Sequence, residues 1–490
     1  MQFIGVDLGT TNIKAACYDE AFQLLGRVSL PVTYQRSGPV VEFNAEEYFD
    51  GLVRILNDLM KSEGARKEDV AQIVFTGQAE SLVVLGENGK PLMNAMSWMD
   101  ERSVDECEEL AGKFDSQLCE AVTGQQAVLP TWPATKILWL QRHAPDVFNN
   151  AKTFVLLKDY IVYRLTGVKQ ADMSIATFSF YFDIYEKKYW KKMLETLNIS
   201  EAQLPELVEP CTVAGTLTIE AAKALGLPES VKVNHGTLDH FTGMVGTGNV
   251  EPGGVSLSTG TVMALATMAK SPVTDRNCGI AMHYGFRPDT HIMLPVAESG
   301  GVSLEWFRKT CMPDVDYGKL NKILAEREHP SQIIFLPYLV GTNSPEFDHR
   351  ATGVFFGLRA EHDAYDMAAA VMEGVAGLLR KNCEGMNRKG AEIKYIIATG
   401  GGAKSDVWCQ MQASITGLPV VRPAELEASC LGAAIIGAVS QGVYADYKQA
   451  ASVGVRMDKR FEPKPSAAYE RNFKRFCKLY DETVKLMDVE

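Results

Sequence analysis

The sequence predicts an α/β protein built from two related domains, one in each half of the chain. Two features that recur in the same order carry this reading. The first is an apolar strand that enters a small Gly/Thr turn and leaves as a second strand. In the first half it covers residues 3–8, turns at Gly9-Thr10-Thr11 and leaves over 13–18. In the second half it covers 254–258, turns at Thr259-Gly260-Thr261 and leaves over 262–266. The second feature is a helix followed by an apolar strand that ends in Thr-Gly. Asn44 with Glu47 three residues on resembles a capping box. Phe49, Leu52, Val53, Leu56, Leu59 and Met60 then follow at helical spacing, and the strand 70–76 runs into Gly77. In the second half Met367, Ala370, Val371, Gly374, Val375 and Leu378 form the apolar face, and the strand 395–399 runs into Gly400-Gly401-Gly402.

The boundaries follow from this repeat. An N-terminal domain over 1–245 and a C-terminal domain over 246–490 are expected, with a cleft between the copies. The connection is placed in 240–255, where Gly243, Gly246, Gly248, Pro252, Gly253 and Gly254 cluster. The segment 100–235 reads as a helix-bearing insertion, with Trp132, Trp139 and Trp190 in its core or along the cleft wall.

Composition restricts the function classes. The 490 residues are 46% hydrophobic and 22% charged, as in ordinary soluble proteins. The net charge of −12 argues against nucleic acid or an anionic membrane as partner, since both reward clustered Lys and Arg. It leaves an anionic nucleotide open, because backbone N–H groups hold phosphates well. The ten cysteines form no CxxC pair and read as reduced thiols. The N-terminus MQFIGVDLGTT lacks a basic region and a long apolar run, so a cytoplasmic location is expected.

Several residues suit phosphoryl chemistry. A Gly/Thr hairpin converges N–H groups and hydroxyls on a small volume that fits phosphate oxygens. Asp7 precedes the first turn, where a carboxylate suits a hydrated Mg²⁺ or simply caps the turn. Lys14 lies just past the turn, within reach of a phosphate. The run Gly400–Ser405 is not a Walker A loop, because no Gly precedes Lys404. Its glycines suit a flat ring lying on backbone, with Ser405 or Asp406 starting a helix. Asp239, in His235-Gly236-Thr237-Leu238-Asp239-His240, follows an apolar strand at 231–233 and could accept a hydroxyl proton. Spacing alone does not single it out among the acidic residues.

At these residues the chain resembles the FGGY family of carbohydrate kinases, which includes glycerol kinases and xylulokinases. Asp7-Leu8-Gly9-Thr10-Thr11-Asn12-Ile13-Lys14 is similar to the family's first phosphate loop, and Ser258-Thr259-Gly260-Thr261 to its second. The stretch 400–417 is similar to its adenosine segment. The stretch beginning Gly353-Val354-Phe355-Phe356-Gly357-Leu358 fits one family signature throughout. Pro133–Leu140 fits the other except at its start, where Thr131 stands.

The resemblance implies an actin-like fold of two RNase H-like domains, with ATP, Mg²⁺ and sugar meeting in the cleft. It implies Asp239 as catalytic base and Asp7 with Asp239 at the metal. Thr10, Thr11, Asn12, Lys14, Gly260, Thr261, Gly301, Glu305, Gly401, Gly402, Ala403 and Asp406 are then expected at the nucleotide, and Gln78, Glu80, Trp98, Asp100, Trp132 and His240 at the sugar. Arg102 reads alternatively as a salt-bridge partner. A homodimer is the assembly the resemblance implies.

The sugar-reading segment departs from the family patterns. Xylulokinases carry Gln-Met-His-Gly where this chain has Gln78-Ala79-Glu80-Ser81, and glycerol kinases carry Gln-Arg-Glu-Thr. Ala79 removes the arginine of the latter, and Thr131 replaces the tyrosine that closes on glycerol. Both changes enlarge the pocket and remove donors, which disfavours glycerol. A ketopentose such as xylulose or ribulose is expected, with a C4–C6 polyol or another ketose as the alternative. A catalytically silent sugar-binding regulator, or an actin-fold ATPase that is not a kinase, is the reading from another class.

Overall fold

The computed structural model describes residues 1–269, 279–288, 290–327, 330–425 and 428–487. The chain forms two compact units. One comprises Met1–Val250, Ala281–Ile292 and Ala428–Val455, and the other Glu251–Ile280, Met293–Glu427 and Arg456–Glu490.

In the first unit the hairpin Gln2–Leu8/Asn12–Asp19 pairs antiparallel from Gln2–Asp19 up to Leu8–Ile13, leaving Gly9, Thr10, Thr11 and Asn12 between the last pair. Leu24–Pro31 extends the hairpin antiparallel, and Val70–Gly77 and Lys232–Leu238 add on the other side as parallel strands. Val213–Thr216 closes the edge, for a six-stranded sheet. Phe3, Ile4, Val6, Leu8, Ile73, Val74 and Phe75 are all fully buried. Such near-continuous apolar runs are expected of strands covered on both faces. The helix Ala45–Leu59 lies over this sheet, and its Asn44 side chain accepts from the Glu46 and Glu47 N–H groups.

The second unit repeats the arrangement. Gly254–Thr259 pairs antiparallel with Met263–Ala269 and parallel with Tyr395–Thr399, which continues to Val420–Pro423 and Met457–Phe461. The long helix Ala364–Arg388 precedes Tyr395–Thr399, as Ala45–Leu59 precedes Val70–Gly77, and Asp363 starts it with a capping box.

Two differences from the sequence reading have clear causes. The strand expected at 231–233 continues to Leu238, because Thr237 and Leu238 rejoin the ladder beside Thr76 and Gly77. The glycine-rich stretch is not a linker over its first half: Asp239–Gly246 is a helix. Its Gly246 serves close approach instead. A Cβ there would lie 2.0 Å from the Ala428 carbonyl oxygen. One on Gly432 would lie 2.0 Å from Thr242 O, and one on Gly5 2.2 Å from Cys430 O. The helix Ser429–Ser440 therefore rests backbone to backbone against Asp239–Gly246 and the first strand, which is why this late segment belongs to the first unit. Its Ile435 and Ile436 are fully buried, each contributing about 1.5–3 kcal/mol.

No helix among the described residues is long and apolar enough to cross a membrane. The nine described cysteines are free thiols, and Cys278 lies outside the described residues.

Gly432→Val has no room for its side chain. We expect it to lower the urea midpoint by the equivalent of about 1–3 kcal/mol, the usual range for overpacking. An unchanged midpoint would show that the two helices separate without loss.

Candidate active site

Three strand ends of the first unit stop at one level. Leu8 pairs with Gly77, and Gly77 pairs with Leu238. The residues that follow are Gly9, Gln78 and Asp239. One sheet edge thus presents the Gly9–Thr11 turn, the Gln78–Ser81 loop and Asp239, at the carboxyl ends of parallel strands where α/β sheets bind ligands. Asp7 stands opposite Lys14 in the hairpin and beside Thr76.

Side chains tie these loops together. The Gln78 amide donates to Gly9 O and to the Tyr34 hydroxyl, both at 3.4 Å, and Tyr48 OH donates to Gly9 O at 3.2 Å. Ser81 Oγ donates to Gln78 Oε1 at 2.7 Å and accepts from the Trp98 backbone N–H at 3.0 Å. The Trp98 indole N–H in turn donates to Thr10 Oγ1 at 2.9 Å, and the ring is 39% exposed. The phosphate-type turn and the segment expected to read sugar therefore form one hydrogen-bonded assembly.

Glu80 has a left-handed backbone, with φ of 64°. This conformation is strained for a residue with a Cβ and tends to mark functional loops. Lys136, fully buried on the helix Pro133–His143, donates to Ser97 O at 2.7 Å and Glu80 O at 3.2 Å. It bridges the two loops that carry Glu80 and Trp98. Burial pushes the Glu80 carboxyl up from the usual carboxylate range, against the pull of the Lys136 ammonium and a hydrogen bond with Thr131. Burial also draws the Lys136 ammonium down, with the nearby Glu80 and Asp100 charges opposing.

Asp239 is half-buried and opens the helix Asp239–Gly246. Its Oδ1 accepts from the His240 N–H at 2.6 Å, and His240 is also half-buried. Trp132 is 4% exposed, stacks on Phe180 and donates its indole N–H to Ala127 O at 3.2 Å.

Asp100 needs correction. Expected at the sugar, it is fully buried and both its oxygens are occupied. Oδ2 accepts from the Val41 N–H and from Arg102 Nη2, each at 2.7 Å, and Oδ1 accepts from Arg102 Nε at 2.8 Å. Arg102 also pairs with Glu42 at 2.7 Å. Asp100 and Arg102 hold the Trp98 loop on the small sheet that carries Val40–Phe43.

In the second unit the Thr259-Gly260-Thr261 turn meets two other segments. Gly301 N–H donates to Gly260 O at 2.7 Å and Val302 N–H to Thr261 O at 3.1 Å, docking the start of the helix Gly301–Cys311 on the turn. The Gly400–Gly402 loop lies against Thr259: a Cβ on Gly400 would sit 2.8 Å from its carbonyl oxygen, and one on Gly402 2.8 Å from its Cβ. Ser405 caps the helix Asp406–Thr416. Asp406 is exposed, and Arg422 at 2.8 Å and Lys459 at 2.5 Å hold its carboxyl below the usual range. Arg422 also donates to Ala403 O at 3.0 Å. Glu305 is exposed and pairs with Lys309 at 2.7 Å.

The duplicated sheet, the paired Gly/Thr turns and the carboxylate at a strand end define an actin-like fold equipped to handle phosphates. The chain belongs to the FGGY family of carbohydrate kinases: the family's N-terminal domain matches residues 2–246 and its C-terminal domain residues 255–441. It is 29% identical over 487 residues to the xylulose kinase of Staphylococcus epidermidis, covering 99% of this chain and 97% of that one. The crystal structure of xylulose kinase from Rhodospirillum rubrum superposes with a TM-score of 0.94 at 25% identity, covering 100% of both chains. That of gluconate kinase from Lactobacillus acidophilus gives 0.92 at 26% identity, covering 98% of each. The protein is a carbohydrate kinase.

The role of Lys136 and the Thr10–Trp98 bond were not foreseen as parts of the site. One signal for Lys136 was available: a lysine amid the apolar residues of a signature helix. Lys136→Met should destabilise the protein by about 1–3 kcal/mol or more, because it leaves the Ser97 and Glu80 carbonyls without their donor and takes a nearby positive charge from the half-buried Glu80. In Lys136→Met with Glu80→Gln, urea unfolding should recover about 0.5–3 kcal/mol of that loss. Strict additivity of the two substitutions would mean that the side chains are not coupled.

Proposed function

We propose that this kinase transfers the γ-phosphoryl group of ATP to a hydroxyl of a ketopentose, xylulose or ribulose, and that Asp239 accepts the hydroxyl proton. One observation carries the reading. The register Leu8–Gly77–Leu238 brings the Gly9–Thr11 turn, Gln78 and Asp239 to a single sheet edge, the set that phosphate, sugar and proton transfer require. The full-length likeness to xylulose kinases supports the choice of acceptor.

Roles follow from chemistry. The N–H groups and hydroxyls of Thr10, Thr11 and Asn12, with Lys14, suit phosphate oxygens. The turn at Gly260 and Thr261 offers the same kind of groups. Gly301, Gly401 and Gly402, followed by Ala403, are assigned to the nucleoside, and Glu305 and Asp406 stand at the first turns of the flanking helices. Gln78, Glu80, Trp98, Trp132 and His240 orient the sugar, while Asp100 acts only by fixing the Trp98 loop.

Mg²⁺ suits this donor set. Among the described residues no cluster of three His, Cys, Asp or Glu side chains exists. Mg²⁺ keeps most of its waters and needs only one or two carboxylates beside the phosphates, which Asp7 and Asp239 supply. When bound it neutralises charge on the β- and γ-phosphate oxygens.

A larger acceptor is the second reading, favoured by the equally strong structural likeness to a gluconate kinase. A coupled ADP-release screen over ketoses, aldoses, polyols and aldonic acids of three to seven carbons separates the two. Turnover of ketopentoses above the rest is expected, and turnover of glycerol alone would overturn both. Asp239→Asn should keep the fold and ATP binding while sugar-dependent ADP release falls at least about 10²–10⁴-fold. Near-normal turnover would remove Asp239 from the mechanism.

A further inference from the structure

Behind Asp239 lies a charged cluster that phosphoryl transfer does not itself use. Lys158, Asp159 and Asp172 have no exposed surface at all. Lys158 Nζ lies 2.5 Å from Asp172 and 3.4 Å from Asp159, and donates to His235 O at 2.9 Å. Asp172 caps the short helix Met173–Ala176, and Ser174 Oγ donates to its Oδ1. The same hydroxyl accepts from Thr237 Oγ1 at 2.7 Å and from the Leu238 N–H at 3.3 Å. A serine hydroxyl has one proton and two lone pairs, and all three are engaged here.

The cluster stands where the strand is irregular. The register of Lys232–Leu238 against Val70–Gly77 shifts between Asn234 and Thr237. Gly236, at φ of 58°, makes the kink, and a Cβ there would lie 1.8 Å from Phe75 O. Past the kink the chain must rejoin the ladder within two residues and then release Asp239. Lys158 grips the strand before the kink at His235 O, and Ser174 grips it after, at Thr237 and Leu238. Thr76 Oγ1 adds a bond to Thr237 O at 2.8 Å.

Stability alone is a poor reason to bury such charges. A buried ionic group is weak support for a fold, and apolar replacements of similar volume are often neutral or better. What the cluster does provide is a fixed position for one backbone segment. We propose that Ser174, anchored by Asp172 and Lys158, is a positioning residue that sets the place of Asp239 through Thr237 and Leu238. This rests on Asp239 being the base. Displacement of a reacting group by about 1 Å costs on the order of 10²-fold in rate, so a small slackening of Leu238 is enough to matter.

The test uses the full chain. Ser174→Ala should lower kcat by about 10- to 100-fold, with KM for ATP and sugar changed by less than about threefold. Thr237→Val, close in shape and lacking the donated proton, should show the same split to a smaller degree and serves if Ser174→Ala fails to fold. Ser174→Thr, which keeps the hydroxyl, should recover most of kcat. In an Asp239→Asn background, Ser174→Ala should cost little further, because a mispositioned group that no longer acts is no loss. Wild-type kcat in both Ser174→Ala and Thr237→Val, or an equal fold-loss from Ser174→Ala in the Asp239→Asn background, would overturn the proposal. Full activity of Asp239→Asn itself would instead overturn the assignment of the base.

Discussion

The strand Val70–Gly77 must touch a neighbour on each side at its final residue, and that residue can only be glycine. A Cβ on Gly77 would lie 2.6 Å from Leu8 Cβ and 2.7 Å from Leu8 O. With no side chain, the strand closes against Leu8 and Leu238 together, and the Gln78 N–H reaches Leu8 O at 3.2 Å. Any widening there would separate the Gly9–Thr11 turn from the Gln78–Ser81 loop, since Gln78 bonds to Gly9 and Trp98 to Thr10 across a few ångströms. The chemistry of the first unit is laid out by backbone register before any side chain is chosen.

The second unit solves the same packing problem for a different purpose. Its Ser258 pairs with Thr399 as Asp7 pairs with Thr76, so Thr259 follows where Leu8 does in the first, and glycines again lie against it. There the exit loop carries three glycines in place of Gly-Gln-Ala-Glu. The first unit's loop projects polar groups and a strained Glu80; the second offers nearly bare peptide. The two copies share the scaffold and differ most in side-chain chemistry at this one loop.

Much of this was legible from sequence because it is local. Strand–turn–strand patterns, the Asn44 cap and the Thr-Gly strand exits are read from residues within a few positions of each other. What was missed depends on distant partners. Asp100 looked free to meet a ligand until Val41 and Arg102 took its oxygens. The glycines after Asp239 looked like a connection between domains because the segment they pack against begins at residue 428. The Lys158 cluster was invisible because none of its members neighbours Asp239 in sequence.

The placement of Ala428–Val455 also bears on how the chain is made. A ribosome will have released the whole first sheet, and most of the second unit, before the helix Ser429–Ser440 emerges to cover Gly5, Gly246 and their apolar surroundings. Until then the nascent first unit displays an uncovered groove, a surface that invites chaperones or aggregation. For the same reason the gene cannot be cut at the apparent repeat into two halves that fold separately, because the N-terminal half would lack a piece of its own interior.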